Sequence, residues 1–493
     1  MFTRKIPSIP EYFSGKDIFL TGGTGFVGKV LIEKLLRSCP DVRTIYVLVR
    51  SKRGKTLKER REDIIKAELF DIIRKENPSN LDKVKCISGD VKKLKLGISE
   101  EDERLITSKV NIIYHVAASV RFDDPLREAI ITNIRSTREI IQLALKCSKL
   151  EAFLHVSTAY CNVDNNFIEE KLYTSPVDWR DAIDLAESDM DLSVCTVKYM
   201  KPWPNTYTFT KRIAEHVTTE LCKDKIPAII LRPSIIVHSE KEPMPGWIDN
   251  LNGPFALVVA GAIGVTSTFY ARKDALLDFV TVDNVIKGML IATWDKALSK
   301  DKSDISIYNV CSELLWKMSL FHEYHRECMD TVAFEKTMWR FTIRIVQCWY
   351  RYYLDTLFHV ALDAAIDQIL KMQGMKPRLL QLVRKIFIAQ QALEFFMRND
   401  FEFNTENFDQ LDSKLLEGDK KAFRQLGRPK KGDDRLPFAI IGMKGVKRFI
   451  FKEREMSAKE TATRGRRFLI MKYAFNYILL VIVIYFILVT WIL

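Results

Sequence analysis

One short stretch limits this chain more than any other. TGGTGFVGK, residues 21–29, ends the apolar run KDIFLTGG and opens the helical run FVGKVLIEKLLRSC. Gly22, Gly25 and Gly28 stand at G-x-x-G-x-x-G spacing. Glycine there permits a tight turn and lets a pyrophosphate approach the backbone, and the first N–H groups of the following helix offer it positive charge. The glycines alone are a weak signal, but a strand, a glycine turn and a helix heading an alternating α/β pattern form a strong one. The alternation continues through TIYVLVR, VKCISGDV, VNIIYHVAA, FLHVSTAY and IPAIILRPSIIV, with helical stretches between, to about residue 300. These runs are apolar throughout, as parallel strands covered on both faces are. The pattern predicts an α/β fold with a doubly wound parallel sheet.

At 493 residues the chain is too long for one core. After Asn309 glycine and proline thin out, and RYYLDTLFHVALDAAIDQILKM and RLLQLVRKIFIAQQALEFFM read as helices. The expected division is an α/β domain over 1–314, a helical domain over 315–450, a basic linker over 451–473 and an apolar segment over 474–493. That last segment, AFNYILLVIVIYFILVTWIL, carries no charge, and its twenty helical residues would span about 30 Å, the thickness of a bilayer core. Tyr473, Tyr477 and Trp491 stand near its ends, where such rings favour the interface. It reads as a C-terminal transmembrane anchor whose basic flank keeps the body of the protein cytosolic. The net charge of +13 is concentrated in that flank, which points to anionic lipid rather than nucleic acid. Three carboxylates, Asp355, Asp363 and Asp367, argue against a second span.

The N-terminus has no apolar signal region, and the nine cysteines never form C-x-x-C, so free thiols are expected. His322, His325 and Cys328 in HEYHREC have helical spacing without a distant second ligand pair; a polar helix face is expected there, and no metal.

The second strand ends in LVRSKRGK. A carboxylate at that point would bind the adenosine ribose; Arg50, with Lys52, Arg53 and Lys55, instead suits a 2′-phosphate and favours NADPH. Asp90 and Val91 are placed to face the adenine, and Ala117 and Ala118 bring small side chains to a strand end beside the cofactor. Two tyrosines precede a lysine by four residues: Tyr12 with Lys16, and Tyr207 with Lys211. The first pair lies before the first strand, at the sheet edge away from the cofactor. The second opens a helical run after a strand that ends in Ser157 and Thr158, hydroxyls at the carboxyl edge. A hydroxyl donor, a tyrosine acid and a lysine near a nicotinamide ribose make a site for carbonyl reduction.

With these residues in view, the sequence resembles the extended short-chain dehydrogenase/reductases and, more narrowly, the alcohol-forming fatty acyl-CoA reductases. The resemblance is carried by TGGTGFVGKVLIEKLLRSCP, HVAASVRFDDPLREAI, HVSTAYCN, YTFTKRIAEH, LRPSIIVHSEKEPMPGWIDNLNGP and KPRLLQLVRKI, and it covers nearly the whole chain. It implies a Rossmann-type sheet followed by a helical C-terminal domain. It implies Tyr207 as proton donor to the carbonyl oxygen, and Lys211 as holder of the nicotinamide ribose that also lowers the tyrosine pKa. Thr158 would bond the carbonyl, with Ser157 as the alternative one residue away. Gly22, Thr24, Gly25, Phe26, Val27 and Gly28 would cradle the pyrophosphate. The implied reaction takes a long-chain fatty acyl-CoA to a primary alcohol with two NADPH; because no peroxisomal tripeptide ends the sequence, the endoplasmic reticulum is expected rather than the peroxisome. A sterol or sugar-nucleotide dehydrogenase of the same fold is one rival, and an inactive membrane tether another. Trp247 in PGWIDNLNGP is expected either at an acyl entrance or in an ordinary loop.

Overall fold

The computed structural model describes residues 6–493 except 52–53, 193–195, 252, 300, 302, 313–314, 336, 338–342, 426–434, 458 and, from 464 on, all but 466, 467, 470, 473, 477, 481 and 485. The chain forms two units that interleave along the sequence. The first takes residues 1–244, 278–315 and 401–431; the second takes 245–277, 316–400 and 432–493. The single boundary expected near residue 314 therefore does not describe the packing: 245–277 groups with the helical part, and 401–431 returns to the α/β part.

The first unit is built on seven strands: β1 (Asp17–Thr21), β2 (Thr44–Val49), β3 (Val84–Ser88), β4 (Ile112–His115), β5 (Ala152–Val156), β6 (Ala228–Pro233) and β7 (Ser306–Val310). Their order is β7-β6-β5-β4-β1-β2-β3, and every pairing is parallel. All residues of β1, β2, β4, β5 and β6 are buried, so both faces of the sheet are covered. This is the doubly wound sheet predicted. The order reverses between β1 and β4, which opens a crevice at the carboxyl ends of those strands, the usual ligand position in such sheets.

Helix α1 (Phe26–Ser38) packs with α3 (Val282–Leu298), and α2 (Thr206–Cys222) packs along Ser136–Leu145. The returning segment adds Glu406–Ser413, whose Phe408 ring would stand 2.7 Å from a Cβ at Gly288; only glycine lets this helix lie so close to α3. IPAIILRPSIIV is not one strand: after β6 the chain leaves the sheet, and Ile235–Val237 pairs with Phe279–Thr281 instead.

The second unit holds helices α4 (Met318–Thr331), α5 (Trp349–Met372) and α6 (Leu379–Leu393), with short pairings of Arg344–Val346 on Thr268–Tyr270 and Trp316–Lys317 on Leu276–Leu277. Helices α5 and α6 form a hairpin. Asp367 accepts the backbone N–H groups of Arg378, Leu379 and Leu380 at 3.0–3.1 Å, which satisfies the free N-terminal donors of α6. In α4, His325 and Cys328 are fully buried and His325 Nδ1 pairs with the Phe321 carbonyl oxygen at 2.6 Å, so the side they share is packed inside the fold and is not the polar helix face expected. No metal-binding cluster occurs among the described residues. Trp247 is buried against Phe449, with ring centroids 4.9 Å apart, and Gly246 meets Gly445 so closely that a Cβ on Gly445 would stand 1.8 Å from a carbonyl oxygen. That stretch is a packing corner.

Among the described residues no helix is long and apolar enough to cross a membrane. The anchor predicted over 474–493 lies, but for three residues, outside the described residues.

Candidate active site

The glycine turn sits at the end of β1. Gly22 has φ +79°, a left-handed conformation that a side chain would strain, and a Cβ there would lie 2.7 Å from the Ala117 nitrogen at the end of β4. A Cβ on Gly28 would stand 2.3 Å from the Gly22 oxygen and 2.7 Å from the Gly23 Cα. The turn therefore folds back on the first turn of α1, and Gly25 serves as the helix N-cap without any side-chain cap. Thr21 fastens the crevice: its hydroxyl accepts from the Ala117 N–H at 3.2 Å and pairs with His115 Nδ1 at 2.8 Å. The loop leaves the N–H groups at the start of α1 for an anion, and its narrowness fits a pyrophosphate.

Around that crevice, Arg50 is exposed directly after β2, Lys55 is bound to Asp63 at 2.6 Å, and Lys52 and Arg53 lie outside the described residues. Among the described residues of this loop, Arg50 is thus the basic one that is open to solvent and forms no ion pair. Asp90 holds its own turn: its carboxylate accepts from the Lys92 N–H at 3.0 Å, and its N–H donates to the Leu96 oxygen at 2.7 Å, with Val91 between.

Helix α2 begins at a capped end. The Asn205 side chain accepts from the Thr208 N–H at 2.9 Å, so Tyr207 lies in the first turn and Lys211 one turn on. Thr158, just past β5, lies close enough to the Tyr207 side chain to favour its ionised form. Its hydroxyl also donates weakly to the Pro233 oxygen at 3.4 Å. Ser157 turns away: its hydroxyl donates to Cys161 Sγ at 3.8 Å, and Cys161 in turn meets Glu215 at 3.4 Å. Of the two hydroxyls, Thr158 is the one beside Tyr207. Lys211 is buried, and its ammonium donates to the Val156 carbonyl at 2.6 Å. Burial lowers its pKa to about 8, against the opposing pull of Cys161 and Glu215.

The predicted effect of Lys211 on Tyr207 is not what the geometry produces. Burial pushes the tyrosine pKa up, Cys161 adds to this, and the nearby Thr158 opposes it. Tyr207 is therefore held as the neutral phenol, the form that can donate a proton. Phe122 stacks on its ring with centroids 5.9 Å apart. The competing pair behaves as position predicts: Lys16 precedes β1 and binds Glu151 at 2.5 Å, at the amino edge of the sheet.

Three supporting groups escaped the sequence reading. Glu215, one turn beyond Lys211, binds Arg232 on β6 at 2.6 Å, and both side chains are fully buried. Arg232 also donates to the Glu169 and Lys171 oxygens at 3.1 and 2.9 Å. Asn133 accepts from the Ser119 N–H and donates to the Thr210 hydroxyl, both at 2.9 Å, so it ties the loop after β4 to α2. The helical spacing of Lys211 and Glu215 was a signal for the first; nothing local marked Asn133.

Two segments match the male sterility protein family, residues 20–289 and 358–453. Human fatty acyl-CoA reductase 1 is 38% identical over 486 residues, covering 97% of this chain and 92% of the relative. The chain belongs to the fatty acyl-CoA reductase family. Human fatty acyl-CoA reductase 2 is 34% identical, covering 95% of this chain and 91% of the relative. Among solved structures, the terminal R domain from the myxalamid PKS-NRPS pathway superposes with a TM-score of 0.58 at 20% identity, covering 88% of this chain and 90% of that one. A reductase domain of a nonribosomal peptide synthetase from Mycobacterium tuberculosis does so at 0.58 and 17% identity, covering 90% and 93%. At such identity these two likenesses establish the fold alone. As a family member with an intact glycine crevice, the chain is an oxidoreductase that uses a nicotinamide cofactor.

Proposed function

We propose that this protein reduces long-chain fatty acyl-CoA to the primary fatty alcohol, using two NADPH per turnover and releasing CoA. The observation that carries this reading is the pairing of Thr158 with a neutral Tyr207 at the carboxyl edge of β5, with the buried Lys211 ammonium one turn away. The reduced nicotinamide supplies hydride when bound in the crevice. Tyr207 gives its proton to the carbonyl oxygen as that oxygen gains charge, and Thr158 donates a hydrogen bond to the same oxygen. The thioester carbon takes one hydride and the oxygen one proton, which gives a hemithioacetal; its C–S bond then breaks, leaving aldehyde and CoA thiol. The same two hydroxyls serve a second cycle, in which aldehyde takes hydride and proton to become alcohol. Lys211 holds the nicotinamide ribose, and Arg50 pairs with the 2′-phosphate, which is the basis for NADPH over NADH. The apolar segment 474–493 anchors the protein in the endoplasmic reticulum membrane, with the catalytic part in the cytosol.

The test is Tyr207→Phe, which keeps the ring and its stacking on Phe122. Alcohol formation from a long-chain acyl-CoA should fall by roughly a hundredfold to ten-thousandfold with NADPH affinity nearly unchanged, the range for loss of a positioned acid. Tyr12→Phe serves as the control. Alcohol yield from Tyr207→Phe equal to that of the unmodified enzyme removes the proposed acid.

A further inference from the structure

Helix α5 is built inside out. Its inward side carries Tyr352, Thr356, His359, Asp363 and Asp367, at the three- and four-residue steps of one helix face. Its outward side carries Tyr350, Leu354, Leu357, Phe358, Ile369 and Met372. Asp363 and Asp367 are 9% and 6% exposed, whereas Leu357 is 66% and Phe358 53% exposed. Two of the carboxylates that speak against a bilayer span are thus occupied within the fold, Asp367 capping α6 and Asp355 meeting Arg344 at 3.3 Å, and the third, Asp363, is buried on the same inward side. Water-facing helices have the reverse arrangement.

The charge around this face is one-sided. Between Trp349 and Leu393 every cation, namely Arg351, Lys371, Lys376, Arg378, Arg384 and Lys385, is exposed, and no acidic residue is. Trp349, Tyr350 and Tyr353 gather at the start of the helix, where amphipathic rings suit a headgroup boundary. An apolar face edged by cations and aromatic rings complements an anionic lipid surface in both terms, acyl chain and headgroup.

We propose that helix α5, backed by α6, lies in the surface of an anionic bilayer, with its outward side among the acyl chains and the surrounding cations at the phosphates. This contact is separate from the segment 474–493 and does not depend on the reaction catalysed.

The full chain is reconstituted into phosphatidylcholine vesicles with about one-fifth phosphatidylserine and a trace of lipid bearing a photoreactive acyl chain, then mapped by mass spectrometry. Lipid adducts are expected within 349–372, centred on Leu357 and Phe358. In the same vesicles Met372, 86% exposed in the chain, should be oxidised by hydroxyl radicals roughly tenfold more slowly than Met190, 61% exposed and remote in sequence. Leu357→Glu with Phe358→Glu should remove most adducts from this helix while activity in detergent persists. Adducts confined to 474–493, or Met372 oxidised as fast as Met190, overturn the proposal. Protection of Met372 without lipid adducts overturns it too, since a second copy or another part of the chain then covers the face.

Discussion

Changing Glu215 to glutamine leaves Arg232 buried with its charge uncompensated. Both side chains are fully buried, and the pair is closed by two contacts of 2.6 and 2.8 Å. Breaking one partner of such a pair costs about 3–5 kcal/mol, because the remaining ion keeps its desolvation penalty. Glutamine preserves shape, and Arg232 retains its bonds to the Glu169 and Lys171 oxygens, so the lower figure applies. At about 2 °C per kcal/mol for a domain of this size, the melting temperature should drop by about 6 °C. The pH dependence has a definite sign. Burial raises the Glu215 pKa, but Arg232 and the hydrogen bonds around it outweigh that, and the net shift is downward. A carboxylate with a depressed folded pKa gives stability that is complete above its unfolded value and lost as the pH falls through the folded value. The gap between native and variant should therefore hold steady from about pH 8 to pH 6 and close only below about pH 4, under the ordinary glutamate range. Thermal melts followed by circular dichroism across that range provide the assay. A drop of less than about 1 °C, well under the cost of an orphaned buried ion, or a gap that closes between pH 8 and 6, would refute the reasoning. Glu215→Leu with Arg232→Met should recover much of the loss, because apolar replacement of both partners removes the stranded charge.

Gly28→Ala puts a Cβ 2.3 Å from a main-chain oxygen that has no flexible end to yield, so NADPH binding by fluorescence titration should be lost while the circular dichroism spectrum is kept. Arg50→Glu should weaken NADPH far more than NADH, read as the ratio of the two Michaelis constants; equal constants in the unmodified enzyme would remove Arg50 from that role. With the Lys211 pKa at about 8, the cationic form proposed to hold the ribose is lost above that pH. NADPH affinity should then be level to about pH 7.5 and decline toward pH 9.5, and the decline should vanish in Lys211→Met.

What could be read from the sequence was local. Parallel strands announce themselves by unbroken apolar runs, and the glycine turn and the Tyr207–Lys211 spacing each lie within one turn of chain. The Glu215–Arg232 pair joins residues 17 apart and the Asn133–Thr210 bond residues 77 apart, and neither distance leaves a periodic trace. Between Ser157 and Thr158 the choice depended on which side of the strand end each hydroxyl faced, which adjacent residues of similar chemistry do not reveal. The interleaving of the two units was hidden for a similar reason: the stretch 401–431 resembles its helical neighbours in composition, and only Phe408 seated over Gly288 shows where it belongs. In α5 the apolar content was visible, but which face looked outward was not, so its aspartates could only count against a bilayer span.

The central claim is tested most directly by the products of the purified full-length protein. It would be supplied with a long-chain acyl-CoA and NADPH, with lipids resolved by gas chromatography–mass spectrometry and cofactor oxidation followed at the same time. The account predicts the primary alcohol of the same chain length, one CoA released and two NADPH consumed for each alcohol formed. Free aldehyde accumulating with one NADPH consumed, or CoA and cofactor unchanged while a sterol or sugar nucleotide turns over instead, would contradict it.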